Sequence, residues 1–118
     1  MVEAGAVRRI ALQLPEAEDR SDERSLRFYL DGKQFAWTWM ERIHPKKPRV
    51  ANLGVLAVLC DPELKEILLE AEPELFFVDD HLKGYPGVLV RLGRVEEDRL
   101  RELLAAAAAR ARSGSARR

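Results

Sequence analysis

Cysteine occurs once, at Cys60, so no disulfide can close within the chain, which suits a reducing cytoplasm. No net charge is available to name a partner, because twenty basic residues cancel twenty acidic ones. Long apolar runs are missing too. The longest uncharged stretch, residues 50–60, is about half of the roughly 20 residues a bilayer requires. Glu3, Arg8 and Arg9 precede any apolar run, so no secretory leader is expected and the expected location is cytoplasmic. Catalytic signatures are equally scarce. There is no Gly-x-Ser-x-Gly, no His-Glu-x-x-His and no phosphate-cradling Gly-x-x-x-x-Gly-Lys. Cys60 has no cysteine or histidine at metal-ligand spacing and reads as a small core residue. Neither an enzyme nor a cofactor or metal ligand set is therefore expected.

What remains is enough for one compact domain: 118 residues, 47% apolar and 34% charged. Residues 1–112 are assigned to it. Residues 113–118, small, polar and basic, have nothing to bury and are expected to be a disordered tail.

Apolar spacing predicts the elements. Val7, Ile10, Ala11 and Leu14 form an i, i+3, i+4, i+7 stripe that Pro15 ends, and residues 16–22 read as an acidic surface loop. The period then falls to two. Leu26, Phe28 and Leu30 alternate with polar neighbours, as do Phe35, Trp37 and Trp39 with Ala36 and Thr38. Asp31-Gly32 between these runs signals a type I′ hairpin, whose central residues both need positive φ. Residues 50–59 read as a covered strand. Asp61, as N-cap acceptor, with Pro62 and Glu63, starts a second helix striped by Leu64, Ile67, Leu68 and Ala71 and stopped by Pro73. Phe76, Phe77 and Val78 read as an edge strand, Val88, Val90 and Leu92 as a last strand, and Leu100, Leu103, Leu104 and Ala107 as the stripe of a closing helix. Four or five antiparallel strands arriving in runs, with three helices, argue for an α+β, two-layer fold with the helices on one face of the sheet.

Charge is segregated along the chain. Residues 40–50 carry a net +3, residues 61–80 a net −7, residues 81–95 a net +3 and residues 110–118 a net +4. The acidic segment reads as a solvated helix face, a protein contact or a weak surface metal site. Arg42, His44, Lys46, Lys47 and Arg49 occupy a loop stiffened by Pro45 and Pro48, and His81, Lys83 and Tyr85 lie on a second turn. These segments are either ordinary surface loops or a pair that straddles a phosphate backbone. Trp37 and Trp39 share a face, as sheet packing or as a platform for stacked bases.

The order of these features resembles the MmcQ/YjbR family. The likeness rests on Leu14-Pro15, on RFYLDGKQFA at residues 27–36, on CDPE at residues 60–63 and, most specifically, on FFVDDHLKGYPGVLVRLGRV at residues 76–95. The resemblance implies a CyaY/frataxin-like architecture, no known catalytic residues, and DNA binding by two wing-like loops that grip the duplex. Carried over by position, the wings are Arg42, His44, Lys46, Lys47 and Arg49, and His81, Lys83 and Tyr85. The expectation is thus a non-enzymatic binder of double-stranded DNA. The alternative is a protein-interaction module, or weak metal binder, that uses residues 61–80.

Overall fold

The computed structural model describes the backbone of residues 1–42 and 44–116, with side chains as far as Arg112. Nine elements follow one another: α1 (Ala4–Ala11), β1 (Glu18–Asp19), β2 (Arg27–Leu30), β3 (Lys33–Glu41), β4 (Val50–Leu59), α2 (Pro62–Ala71), β5 (Phe76–Phe77), β6 (Gly87–Arg91) and α3 (Glu97–Ala116). The strands make one antiparallel sheet in the order β1-β2-β3-β4-β6-β5. Six strands form where four or five were expected. The additional one is β1, two exposed acidic residues inside the supposed loop, paired through Glu18↔Tyr29 and Asp19↔Phe28. Backbone pairing alone makes that strand, so no apolar alternation announces it.

The hairpin forms where Asp31-Gly32 placed it. Asp31 has φ 52° and Gly32 φ 78°, the left-handed pair that a type I′ turn needs. Its strands do not alternate simply. Phe28 pairs with Ala36 and Tyr29 with Gln34, so Phe35 is an extra, bulged residue. The bulge reverses the faces: Phe35 and Ala36 are both fully buried in the main core, with the Phe35 ring centroid 6.4 Å from that of Phe28. Phe35 therefore does not share a face with Trp37 and Trp39.

Two apolar rows result, on opposite faces of the sheet. Thr38↔Leu56↔Val90↔Phe76 faces the helices, whose Val7, Ile10, Leu68, Leu100 and Leu104 complete the main core. Trp37↔Ala57↔Leu89↔Phe77 faces the other way and builds a smaller cluster with Val55 and Leu82. Buried Thr38 stays satisfied because its Oγ1 accepts the Leu26 amide at 2.9 Å. All three helices thus cover one face, and the fold is α+β with two layers.

Helix α2 departs from its predicted stripe. Leu68 is buried and Leu64 half-buried, but Ile67 is 61% exposed, while Lys65 is only 8% exposed. The inward face is rotated toward Lys65 and Leu69, because the Lys65 ammonium has backbone carbonyls to donate to. Asp61 sits at the N-cap without a capping hydrogen bond, and its carboxylate pairs instead with Arg110 of α3. The backbone of α3 is helical to Ala116, four residues into the segment assigned to the tail. Arg117 and Arg118 of that segment lie outside the described residues.

Candidate nucleic-acid interface

The basic loop joins β3 to β4, and its own arginines fold it. The Arg42 guanidinium donates to the Pro45 carbonyl at 3.0 Å, and Arg49 Nη1 donates to the Met40 carbonyl at 2.7 Å. The Lys46 amide donates to Nδ1 of His44 at 3.1 Å, a local closure that the two prolines, lacking N–H groups, leave open to it. Lys46 and Lys47 are exposed, with no side-chain hydrogen bond or ion pair among the described residues. Arg42 and Arg49 position the loop with part of their guanidinium donors, and the two lysines carry charges unpaired among the described residues.

The second segment, between β5 and β6, reaches the face of the sheet opposite the helices. Leu82 is buried there against Val55, Ala57 and Leu89. Tyr85 meets Trp37 edge to face at 6.2 Å, an arrangement favoured by the ring quadrupoles. From the helix side Lys65 ties this turn down: its ammonium donates to the carbonyls of Leu82, Tyr85 (2.7 Å) and Lys83 (3.4 Å). Sequence reading missed Lys65, since a lysine between leucines on an amphipathic helix looks like a solvent residue.

The structure brings some predicted residues together and leaves others apart. Arg49 from the loop and His81 from the turn line one depression of about 270 Å³ with Trp37, Trp39 and Met40. A groove of about 590 Å³ adjoins it, lined in part by the same Trp37, Met40 and Arg49. Arg24, Arg27, Gln34 and Asp22 contribute its polar groups. Tyr85 reaches the site through Trp37. Lys83 does not join it: its ammonium lies 3.6 Å from Asp80 and borders a different hollow, beside Lys65 and Glu66. Arg42, His44, Lys46 and Lys47 are all exposed on the loop outside both depressions.

Arginine and aromatic rings alternate over this face. Arg20 lies 4.5 Å from the Tyr29 centroid, Arg49 5.9 Å from that of Trp39 and Arg91 4.1 Å from that of Phe77. Each is a cation–π contact. Beside the groove, Asp22 accepts the amides of Arg24 (2.8 Å) and Ser25 (2.9 Å) and pairs with Arg27 at 2.8 Å. The two amides, more than the guanidinium, hold its carboxyl below the usual carboxylate range. Nε of Arg27 is buried with no hydrogen-bond partner among the described residues. Arg24 and Arg27 went unnoticed in the sequence because one sits in an acidic stretch and the other in a strand, with only the fold to unite them with Arg49.

The acidic segment is spent differently. Asp61 pairs with Arg110, Glu72 with Arg99 and Asp80 with Lys83. No three His, Cys, Asp or Glu side chains come together as a metal site among the described residues. No helix there is long and apolar enough to cross a membrane.

Comparison with known proteins identifies relatives. No curated protein matches the chain significantly. Among solved structures, the crystal structure of Deinococcus radiodurans protein DR2400, with a DUF419 domain, is similar. It has a TM-score of 0.65 and 25% identity over 91% of this chain and 76% of that one. The YjbR family model matches residues 12–107, which run from the end of α1 well into α3. The match spans the whole sheet and the whole candidate site, and YjbR is not known as a family of enzymes. The chain belongs to the YjbR family.

Proposed function

We propose that this chain is a non-enzymatic DNA-binding protein that meets the phosphate backbone with the loop at residues 42–49 and the turn at residues 81–85. One observation carries the reading: Arg49 from the first segment and His81 from the second line a single depression with Trp37 and Trp39. Two loops distant in sequence thus border one surface, and the first also carries Lys46 and Lys47, exposed and unpaired among the described residues. Phosphate neutralisation by such cations supplies most sequence-independent affinity. Lys83, engaged with Asp80, is the weakest member of the set.

The alternative, a protein-interaction or weak metal-binding role for residues 61–80, has less support, because Asp61, Glu72 and Asp80 already pair with cations of this chain. A salt-titrated mobility-shift assay with duplex DNA tests the proposal. With Lys46, Lys47 and Arg49 each neutralising about one phosphate, log affinity against log salt has a slope near −3, from roughly −0.9 per contact. Lys46→Ala with Lys47→Ala flattens that slope by about 2 and weakens binding to all sequences alike. Absence of a shift at low salt overturns it.

A further inference from the structure

The groove and the depression beside it have a chemistry that the two loops alone do not use. The two share Trp37, Met40 and Arg49, with Arg24 and Arg27 lining the groove and Trp39 and His81 lining the depression. Both indoles are half-buried and line the open space of the depression. Among the described residues Asp22 is the only carboxylate lining the groove; it already holds Arg27, and the remaining lining charge is cationic. The groove, about 590 Å³, lies within the roughly 300–1,000 Å³ of sites that enclose small aromatic ligands.

Duplex DNA can meet this surface only through its backbone, because its bases are stacked on one another and present edges, not faces. Trp37 and Trp39 are two residues apart on one face of β3, a separation of about 6.7 Å along the strand. That is about twice the roughly 3.4 Å step of a stacked strand. Bases seated on the two indoles must therefore be drawn apart from each other, as they can be only in a single strand. An unpaired base offers a π-face to an indole whatever its identity, and its phosphate needs a nearby guanidinium.

From this geometry we infer that the track from Arg24 to His81 binds single-stranded nucleic acid, with unpaired bases stacked on Trp37 and Trp39 and phosphates at Arg24, Arg27 and Arg49. The inference rests on the DNA-binding reading above and specifies its ligand. It makes the opened strand the preferred substrate and leaves the loop lysines to hold flanking backbone.

Intrinsic fluorescence reads the site directly, since Trp37 and Trp39 are the only two tryptophans of the chain. A short oligothymidylate quenches that emission on titration at low salt, and a duplex of equal length does not. Trp39→Leu weakens oligothymidylate binding about five- to 150-fold, the range of a single base–aromatic stack, while Trp39→Phe restores most of it. Duplex affinity in a mobility-shift assay changes less than oligothymidylate affinity in both variants. Should Trp39→Leu fail to fold, exposed Arg24→Ala serves instead and lowers the salt slope for oligothymidylate by about 0.7.

Duplex binding with no quenching by oligothymidylate overturns the track and leaves the loop reading intact. Oligothymidylate binding that Trp39→Leu does not weaken also overturns the track. Binding of neither nucleic acid overturns both.

Discussion

Nζ of Lys65 donates to the Tyr85 carbonyl at 2.7 Å, so a helix on one side of the sheet anchors the turn whose Leu82 and Tyr85 pack on the other. The ammonium spends its donors on backbone oxygens, and α2 rotates Ile67 outward to bring it there.

Lys65→Met keeps the length of the side chain and removes the donors, leaving carbonyls of a partly buried turn unpaired. It should destabilise the protein by about 1–3 kcal/mol, the usual penalty for stranding buried acceptors. The measurement is a urea midpoint that falls while the slope stays constant. Trp37 emission should shift as well, since Tyr85 loses its support. A midpoint equal to that of the wild type refutes the anchoring role.

Gly87 starts β6 where Tyr85 and β4 come close. A Cβ there would stand 3.2 Å from Tyr85 Cδ1 and 3.2 Å from the Val58 carbonyl oxygen. Gly87→Ala should therefore cost about 1–3 kcal/mol, as overpacking does. Adding Tyr85→Ala should relieve only part of the loss, because the backbone oxygen cannot move aside. Thermal melts of the two single variants and the double variant decide; full relief in the double variant would place the whole clash on the ring.

Burial pushes the Cys60 thiol up from 9.0 to about 11. In the unfolded chain the thiol ionises first as pH rises, so the folded state binds the extra proton between these values. The stability this group contributes is complete below about pH 9 and is lost as pH climbs toward 11. Wild type should lose stability relative to Cys60→Ala across that window, by at most about 1.4 kcal/mol per pH unit. Equal pH dependence of the two proteins in urea titrations contradicts this. At pH 8 the native thiol should react with a disulfide reagent only as fast as the protein opens.

Among the described residues Asp22 is the single anion lining the groove. Asp22→Asn preserves an acceptor for the Arg24 and Ser25 amides and releases a guanidinium charge at Arg27. Oligothymidylate should bind more tightly, with a salt slope steeper by up to about 0.7. Because those amides hold the Asp22 carboxyl below its ordinary value of 3.8, its charge stays constant from pH 5 to 8 in the wild type. Weaker binding by the variant would show that Asp22 orders the groove more than it neutralises it.

The legible parts of the fold were those that local chemistry dictates. Asp31-Gly32 fixed the hairpin through its backbone dihedrals, and Pro62 and Pro73 bounded α2 through missing donors. Ile67 misled because a stripe read from apolar residues has no place for a lysine whose buried end is satisfied by carbonyls 17 to 20 residues away. The bulge at Phe35 was invisible for a related reason: strict alternation can be drawn through it, and only the partner strand shows the extra residue. At the site, the charges of Arg49 and His81 were evident, but their convergence on Trp37 and Trp39 depends on which face the bulge assigns to the indoles. The arrival of Arg24 and Arg27 depends on pairing between β2 and β3, which no short-range pattern encodes.

The two margins of the sheet are β1 and β5, each only two residues long. An open margin is a template on which another extended chain can add, and its danger grows with the length of unpaired backbone it offers. Here one margin is formed by Glu18 and Asp19, which carry negative charge, and the other follows closely on Pro73, which lacks an N–H to offer. A sheet of six strands therefore ends on both sides in a brief strand. Of its two faces, one is covered by the helices and the other carries the tryptophans.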